Sequence, residues 1–164
     1  MDMKSNSAIL RHKGKNYSLH EINVIGLNLS DFERRIINAR IDGVSFSQIE
    51  QDNVRWHIDQ LMLRGAAICG CKLPSTEFFA EIIADELTEL IVNFGYSELT
   101  YLELLLAMRI NAKGGFKFPS GLDLETISFF GNSFNVDYYS KVLNNYMTIR
   151  NLLDRKLQNF IDGY

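Results

Sequence analysis

Apolar residues recur at three- and four-residue spacing through most of the chain after residue 29, which is the period of amphipathic helices. The pattern predicts five helices, at about 30–40, 48–64, 76–93, 101–112 and 136–161. Three of the starts carry the S/T-x-x-E spacing of a capping box, Ser30 with Glu33, Ser47 with Glu50 and Thr100 with Glu103. Ser75 or Thr76 is the expected N-cap of the third helix, and Asn135 that of the last.

The helix that follows Thr100 is the most apolar of the five. In "TYLELLLAMRINAKGGF" apolar side chains occur on nearly every side, and only Glu103, Ala107 and Asn111 make a small or polar stripe. A helix that is hydrophobic all round is usually surrounded by other elements. The predicted fold is therefore all-α, a helical bundle of about five helices around a buried central helix at about 101–112.

Two other helices have stripes that we expect to face this centre. In the third helix the stripe is Phe78, Phe79, Ile82, Ile83, Leu87, Leu90 and Ile91. In the second helix it runs through Val54 or Trp56 to Leu61, and we interpret Trp56–His57 as a core aromatic with a polar neighbour.

Two segments lack a clear helical period. Residues 1–28 are predicted to form an irregular N-terminal arm, with a small hairpin around Lys13-Gly14-Lys15, ahead of a helical bundle domain at 29–164. The segment 116–134 is expected to be a loop with one short helical turn at Leu124–Phe129. Because this loop is unusually apolar, we expect it to pack over the core.

Composition narrows the class of protein. The net charge of −3 gives no overall attraction to nucleic acid or to an anionic membrane. The polar start "MDMKSNSAILRHKGK" is not a signal peptide, and no run of about 18 apolar residues would span a bilayer. We therefore expect a protein that is neither secreted by a signal peptide nor transmembrane.

Charge is unevenly distributed along the chain. Seven acidic residues and no Lys or Arg lie between Lys72 and Arg109, whereas the arm and the last helix are basic. Helix faces that are exposed to solvent are enough to explain this uneven distribution of charge. The distribution is also consistent with acidic and basic faces that meet on neighbouring copies, or with basic ends that contact phosphate.

The last helix is long for a chain of this size, since 26 residues at 1.5 Å each span roughly 39 Å. Its distal end keeps the apolar residues Leu157, Phe160, Ile161 and Tyr164. These four residues are the candidate protein interface, because a projecting apolar end must be covered by the N-terminal arm or by another subunit.

The sequence gives only weak evidence for a catalytic site or a metal site. Cys69, Cys71 and His57 would supply three soft ligands, but a closed zinc site needs four, so two free thiols are the better interpretation. The acidic face of Glu81, Asp85 and Glu89 is more typical of a solvated surface than of an acid pair or a cation site. We expect no enzyme activity, no metal, no cofactor and no small-molecule substrate.

Nucleic-acid binding is the alternative. Basic residues of the arm and a Tyr/Arg pattern on the last helix would contact phosphates and stack on bases. The candidate residues are Lys13, Lys15, Tyr146, Arg150, Arg155 and Lys156.

The C-terminal part of the chain resembles a known group of sequences. The segments "ICGCKLPSTEFFAEIIADELTELIVNFGYSELTYLELLLAMRINAKGGF" and "FFGNSFNVDYYSKVLNNYMTIRNLL" carry the resemblance over about residues 69–155. The matching positions are Pro74, Glu77, Leu99, Thr100, Glu103, Ala107, Asn111, Gly114, Val142, Leu143, Tyr146 and Arg150. They are similar to poorly characterised small helical proteins of tailed phages and mobile elements of Bacteroidetes, of the crAss-like phage type.

This resemblance implies a shared helical fold and a role as a virion component or a replication accessory. The first hypothesis is a non-enzymatic bacteriophage structural protein, a subunit of a portal-proximal or head–tail connector ring or a packaged internal protein. Its partners would be other copies of itself, other virion proteins and DNA, and its location the virion or the bacterial host cytoplasm. The alternative is a DNA replication accessory, a helicase-loader-like protein or DNA-binding adaptor.

Overall fold

Six α-helices and two small β-hairpins make up the described part of the chain. The computed structural model describes residues 6–24, 27–113, 116–117, 123–128 and 132–163. The helices are α1 (Leu19–Val24), α2 (Asp31–Asp42), α3 (Gln51–Cys69), α4 (Glu77–Asn93), α5 (Tyr101–Ala112) and α6 (Val136–Ile161). The strands are β1 (Ile9–His12), β2 (Lys15–Ser18), β3 (Phe116–Lys117) and β4 (Asp123–Leu124), with 3-10 turns at Asn6–Ala8 and Phe46–Gln48.

Helix α5 lies at the centre, as its uniform hydrophobicity predicts. It packs against α2, α3 and α6, while α4 packs against α3 and α6. Leu104, Ala107 and Met108 are fully buried, and Glu103 and Asn111 are buried with them. The predicted all-α bundle around residues 101–112 is confirmed.

Capping residues set most of the helix starts. Ser30 with Glu33 and Thr100 with Glu103 form reciprocal capping boxes, and the side chains of Thr76 and Asn135 each accept a backbone N–H of the first turn. The capping box predicted for Ser47 and Glu50 is wrong. Ser47 lies in a 3-10 turn, where its backbone N–H donates to the Ser97 carbonyl, and α3 begins four residues later, at Gln51, without a side-chain cap.

Helix α3 ends later than predicted, at Cys69 rather than near Arg64. The helix stops where Gly70 adopts a left-handed conformation, with φ of 68°, and its N–H bonds the Ala66 carbonyl. Gly65 lies inside the helix and packs against Met108 of α5. A Cβ at residue 65 would come within 2.5 Å of the Met108 sulfur.

The N-terminal segment is more ordered than an irregular arm. Strands β1 and β2 pair antiparallel around Lys13–Gly14, which confirms the predicted hairpin. The short helix α1, which the sequence pattern did not predict, follows directly. Leu10, Leu19 and Ile22 from this segment are buried in the same core as α5.

The segment before α6 is extended. Phe116–Lys117 pair with Asp123–Leu124, and the Asn111 side chain exchanges two hydrogen bonds with the Ile127 backbone. The helical turn predicted at Leu124–Phe129 is therefore wrong for residues 124–128, and residue 129 lies outside the described residues. Leu124 and Ile127 pack against the core, as the apolar character of the loop predicts.

Helix α6 has the predicted length, and its stripe from Tyr139 to Leu157 is buried. Its distal end contacts the hairpin, because Gln158 Nε2 donates to the Arg11 carbonyl and Asp162 accepts from His12. The end of α6 was expected to meet either the N-terminal arm or another subunit, and the N-terminal segment does contact it. Within the described residues, no helix combines the length and apolarity needed to cross a bilayer.

Candidate interaction surfaces and the buried polar network

Three large apolar side chains at the start of α4 face outward. Phe78 and Phe79 expose 71% and 56% of their surface and Ile82 exposes 41%, while Ala84, Leu87 and Ile91 fill the buried side of the same helix. The predicted core orientation of Phe78, Phe79 and Ile82 is wrong. The apolar stripe of α4 is wider than the side that α3 and α6 cover, so its outer part stays exposed.

The same side of α4 is acidic towards its C-terminal end. Asp85, Glu86 and Glu89 follow Ile82 at helical spacing and are exposed. We call the six residues Phe78, Phe79, Ile82, Asp85, Glu86 and Glu89 the α4 outer face. It contains no basic side chain, and Arg55 of α3 bonds Asp85 at its edge, with 2.9 Å between Nη1 and Oδ1.

A separate groove lies between α3 and the start of α4. It has a volume of about 520 Å³, and Leu63, Leu73 and Pro74 contribute its apolar wall. Nearby on α3, Trp56 is 59% exposed with its ring against His57, so the interpretation of Trp56 as a core residue is wrong. The buried position belongs to Val54.

A second groove lies where the N-terminal end of α2 meets the C-terminal end of α5. We call it the α2/α5 groove, and it has a volume of about 210 Å³. Its lining is Asp31, Phe32, Arg35, Leu106, Arg109, Ile110 and Lys113. Arg35 bonds Asp31 within α2, whereas Arg109 and Lys113 form no salt bridge with another described residue. The groove therefore pairs an apolar floor with an excess of positive charge.

The carboxylate of Glu103 lies at the centre of a buried polar network. One oxygen accepts from Ser7 Oγ at 2.7 Å and from the Thr100 N–H at 3.2 Å. The other accepts from Tyr146 Oη at 2.7 Å and lies 2.9 Å from Arg150 Nε. Burial, and after it the neighbouring Glu103 carboxylate, raises the pKa of the Tyr146 phenol well above its ordinary value. These contacts hold the N-terminal segment, α5 and α6 together.

A polar cleft of about 460 Å³ opens beside this network. Arg40 and Arg150 lie at its floor, and both are already engaged. Arg40 donates to the Ser7 carbonyl and pairs with Asp154, while Arg150 pairs with Glu103. The two buried guanidinium groups of the cleft are thus neutralised by neighbours in the chain, which is typical of a structural network.

The predicted interface residues of α6 are placed differently from one another. Leu157 is fully buried within the chain, so it has no surface to offer a partner. Phe160 and Ile161 are half-buried, and Ile161 packs against the core. Tyr164 lies outside the described residues.

The predicted nucleic-acid residues do not form one surface. Tyr146 and Arg150 are buried in the network and do not face solvent. Lys13 pairs with Asp162 at 3.1 Å and Lys156 with Glu33 at 2.9 Å. Lys15 and Arg155 are exposed and form no salt bridge with another described residue.

The two cysteines are free thiols at the end of α3. Burial, with a smaller effect of the neighbouring Cys71, raises the pKa of the Cys69 thiol to about 12. A thiol with so high a pKa is a poor nucleophile and a poor metal ligand at neutral pH. Across the described residues, no group of three His, Cys, Asp or Glu side chains is arranged to hold a metal ion.

Sequence reasoning missed both the α4 outer face and the α2/α5 groove. A signal for the first was present, because the apolar residues of α4 span more of its circumference than one buried side needs. The groove carries no local signal, since it joins residues of two helices that are distant in sequence. Comparison of the chain with protein-family models, with curated proteins and with solved structures found no match.

Proposed function

We propose that this protein is a non-enzymatic structural subunit that assembles through protein–protein contacts, in a bacteriophage virion. The observation that carries the proposal is the exposure of Phe78, Phe79 and Ile82 together on one helix face. Contiguous exposed apolar side chains mark interaction sites when acidic residues border them, as on the α4 outer face. Aromatic side chains of this kind are the usual anchors of protein interfaces.

The ionisable groups in the interior also support a structural role. The buried Glu103 carboxylate accepts hydrogen bonds from Ser7 and Tyr146 and pairs with Arg150. The buried guanidinium group of Arg40 bonds the Ser7 carbonyl and pairs with Asp154. Each of these three charged groups therefore already has a partner within the chain. A catalytic site needs groups that remain available to a substrate. The placement within a virion, as a connector-ring or packaged internal subunit, comes from the sequence resemblance.

Mass spectrometry of nuclease-treated, gradient-purified phage particles tests the virion role. We expect peptides of this chain in the particles at a constant ratio to the major capsid protein. Peptides found only in infected-cell lysate would contradict it and would favour the replication accessory. That alternative predicts DNA affinity that falls with salt and falls again in a Lys15→Glu, Arg155→Glu variant, because these two basic side chains are exposed.

A further inference from the structure

The α4 outer face and the α2/α5 groove are complementary in two respects. The first offers exposed Phe78, Phe79 and Ile82 beside Asp85, Glu86 and Glu89. The second offers an apolar floor of Phe32, Leu106 and Ile110 beside Arg109 and Lys113. Apolar residues would meet apolar residues, and the acidic half of one surface would meet the basic side of the other.

We infer that the α4 outer face of one copy docks into the α2/α5 groove of the next copy. This inference rests on the proposed function and names the interface through which the subunit assembles. The start of α4 from a second copy occupies the groove, with the Phe78 and Phe79 rings against Phe32 and Ile110. Arg109 and Lys113 then lie near the carboxylates of the incoming helix.

Like-with-like contacts are disfavoured by charge. Two α4 outer faces in contact would bring Asp85, Glu86 and Glu89 against the same residues of the partner, with no basic side chain in either face. Two α2/α5 grooves in contact would bring Arg109 and Lys113 together in the same way. Like charges placed opposite one another cost binding free energy, so the mixed contact is the favoured one.

The positions of the two surfaces in the fold make the contact repeat. Helix α4 packs against α3 and α6, whereas the groove is formed by α2 and α5. After one contact forms, each copy therefore still presents one unused surface. A head-to-tail contact of this kind generates a ring when its rotation closes and a filament when it does not.

A pair of complementary variants tests the inference. The first, Phe78→Ser with Phe79→Ser, lacks the α4 outer face and keeps the groove. The second, Arg109→Glu with Lys113→Glu, lacks the basic side of the groove and keeps the α4 outer face. All four side chains are exposed, so the fold should persist, which circular dichroism checks.

Sedimentation velocity of each variant alone and of the equimolar mixture gives the result. We expect wild type to form higher oligomers, each variant alone to be monomeric at concentrations about tenfold above the wild-type midpoint, and the mixture to form a 1:1 heterodimer. Matched controls are Phe94→Ser, at the other end of α4, and Lys15→Glu with Arg155→Glu. Both controls should assemble as wild type does.

Three outcomes would overturn the inference, and they distinguish the contact from the assembly role. If the groove variant assembles alone as wild type does, or if wild type assembles and the mixture stays monomeric, the head-to-tail contact is wrong and the proposed assembly role survives. If wild type itself stays monomeric at every concentration and the mixture does too, both the contact and the assembly role are overturned.

Discussion

Arg150 Nε lies 2.9 Å from a carboxylate oxygen of Glu103, and both side chains are buried between α5 and α6. Ser7, Thr100 and Tyr146 surround the pair, and each donates one hydrogen bond to the carboxylate. A buried ion pair is costly to break from one side, because the remaining charge is left without a partner. The pair therefore fixes how the N-terminal segment, α5 and α6 meet.

The substitution Glu103→Gln should destabilise the fold. The neutral amide leaves the Arg150 guanidinium buried without its counter-charge, so we expect the free energy of unfolding to fall by about 3–5 kcal/mol. Urea denaturation measures the change. Glu86→Gln, the same substitution at an exposed site of α4, should change it by less than about 0.5 kcal/mol.

The double variant Glu103→Gln, Arg150→Met separates the pair from the rest of the network. Because it removes both charges together, we expect it to lose less stability than the sum of the two single variants, by about 1–3 kcal/mol. Strict additivity would show that the two side chains do not act as a pair.

Gly65→Ala tests the close approach of α3 to α5. The new Cβ would lie within 2.6 Å of both the sulfur and the terminal methyl of Met108. Because Met108 is fully buried, its side chain has little room to move aside, so the substitution should cost about 1–3 kcal/mol despite the higher helix propensity of alanine. Met108→Ala creates a cavity and is also destabilising alone. We expect the double variant to be more stable than additivity predicts, and a stabilising effect of Gly65→Ala alone would contradict the packing.

The Cys69 thiol should react slowly in the native protein. With a pKa of about 12, roughly one thiol in ten thousand is ionised at about pH 8. In a Cys71→Ser background, we expect a disulfide reagent to label Cys69 at least about tenfold more slowly in the folded chain than in guanidinium chloride. Equal rates in the two states would show that the Cys69 thiol is not shielded by the fold and that its pKa is not raised.

The contact between the hairpin and the end of α6 should depend on pH through Asp162. Hydrogen bonds from His12 and then Lys13 lower the pKa of this carboxyl below its ordinary value of 3.8. A carboxyl with a lowered folded-state pKa stabilises the folded state above its unfolded-state pKa. That contribution is lost as the pH falls through the folded-state pKa.

Amide hydrogen exchange of β1 and β2 in wild type and Asp162→Asn measures this contact. At about pH 6 the variant should exchange faster in the hairpin, and the difference should shrink as the pH falls through the lowered pKa of Asp162, where the wild-type carboxyl also becomes neutral. Gln158→Ala, which removes a neutral donor to the Arg11 carbonyl, is the control whose effect should not change with pH. Identical exchange in wild type and Asp162→Asn at every pH would show that Asp162 does not hold the hairpin on α6.

The helical period and the capping residues predicted most of the architecture. The central position of α5 followed from its uniform hydrophobicity, and the start of α2 followed from Ser30 and Glu33 because a capping box is local chemistry. The false box at Ser47 failed because the Ser47 N–H is used by the distant Ser97 carbonyl, a contact that no local rule contains.

The interaction surfaces were harder to predict. Periodicity shows that Phe78, Phe79 and Ile82 lie on an apolar part of α4, but which part of a wide stripe is covered depends on where α3 and α6 sit. Tyr146 and Arg150 followed the pattern of a stacking surface, yet tertiary packing turned both towards Glu103. The distal end of α6 contacts the hairpin through Gln158 and Asp162, while its role as a protein interface stays a prediction.

Sedimentation velocity of the unmodified protein over about 1–100 μM tests the central claim most directly, since that claim is assembly through exposed apolar surface. We predict concentration-dependent species heavier than the 18.8 kDa chain, and a return towards the monomer when Phe78 and Phe79 are replaced by serine. A single 18.8 kDa species at every concentration would contradict it.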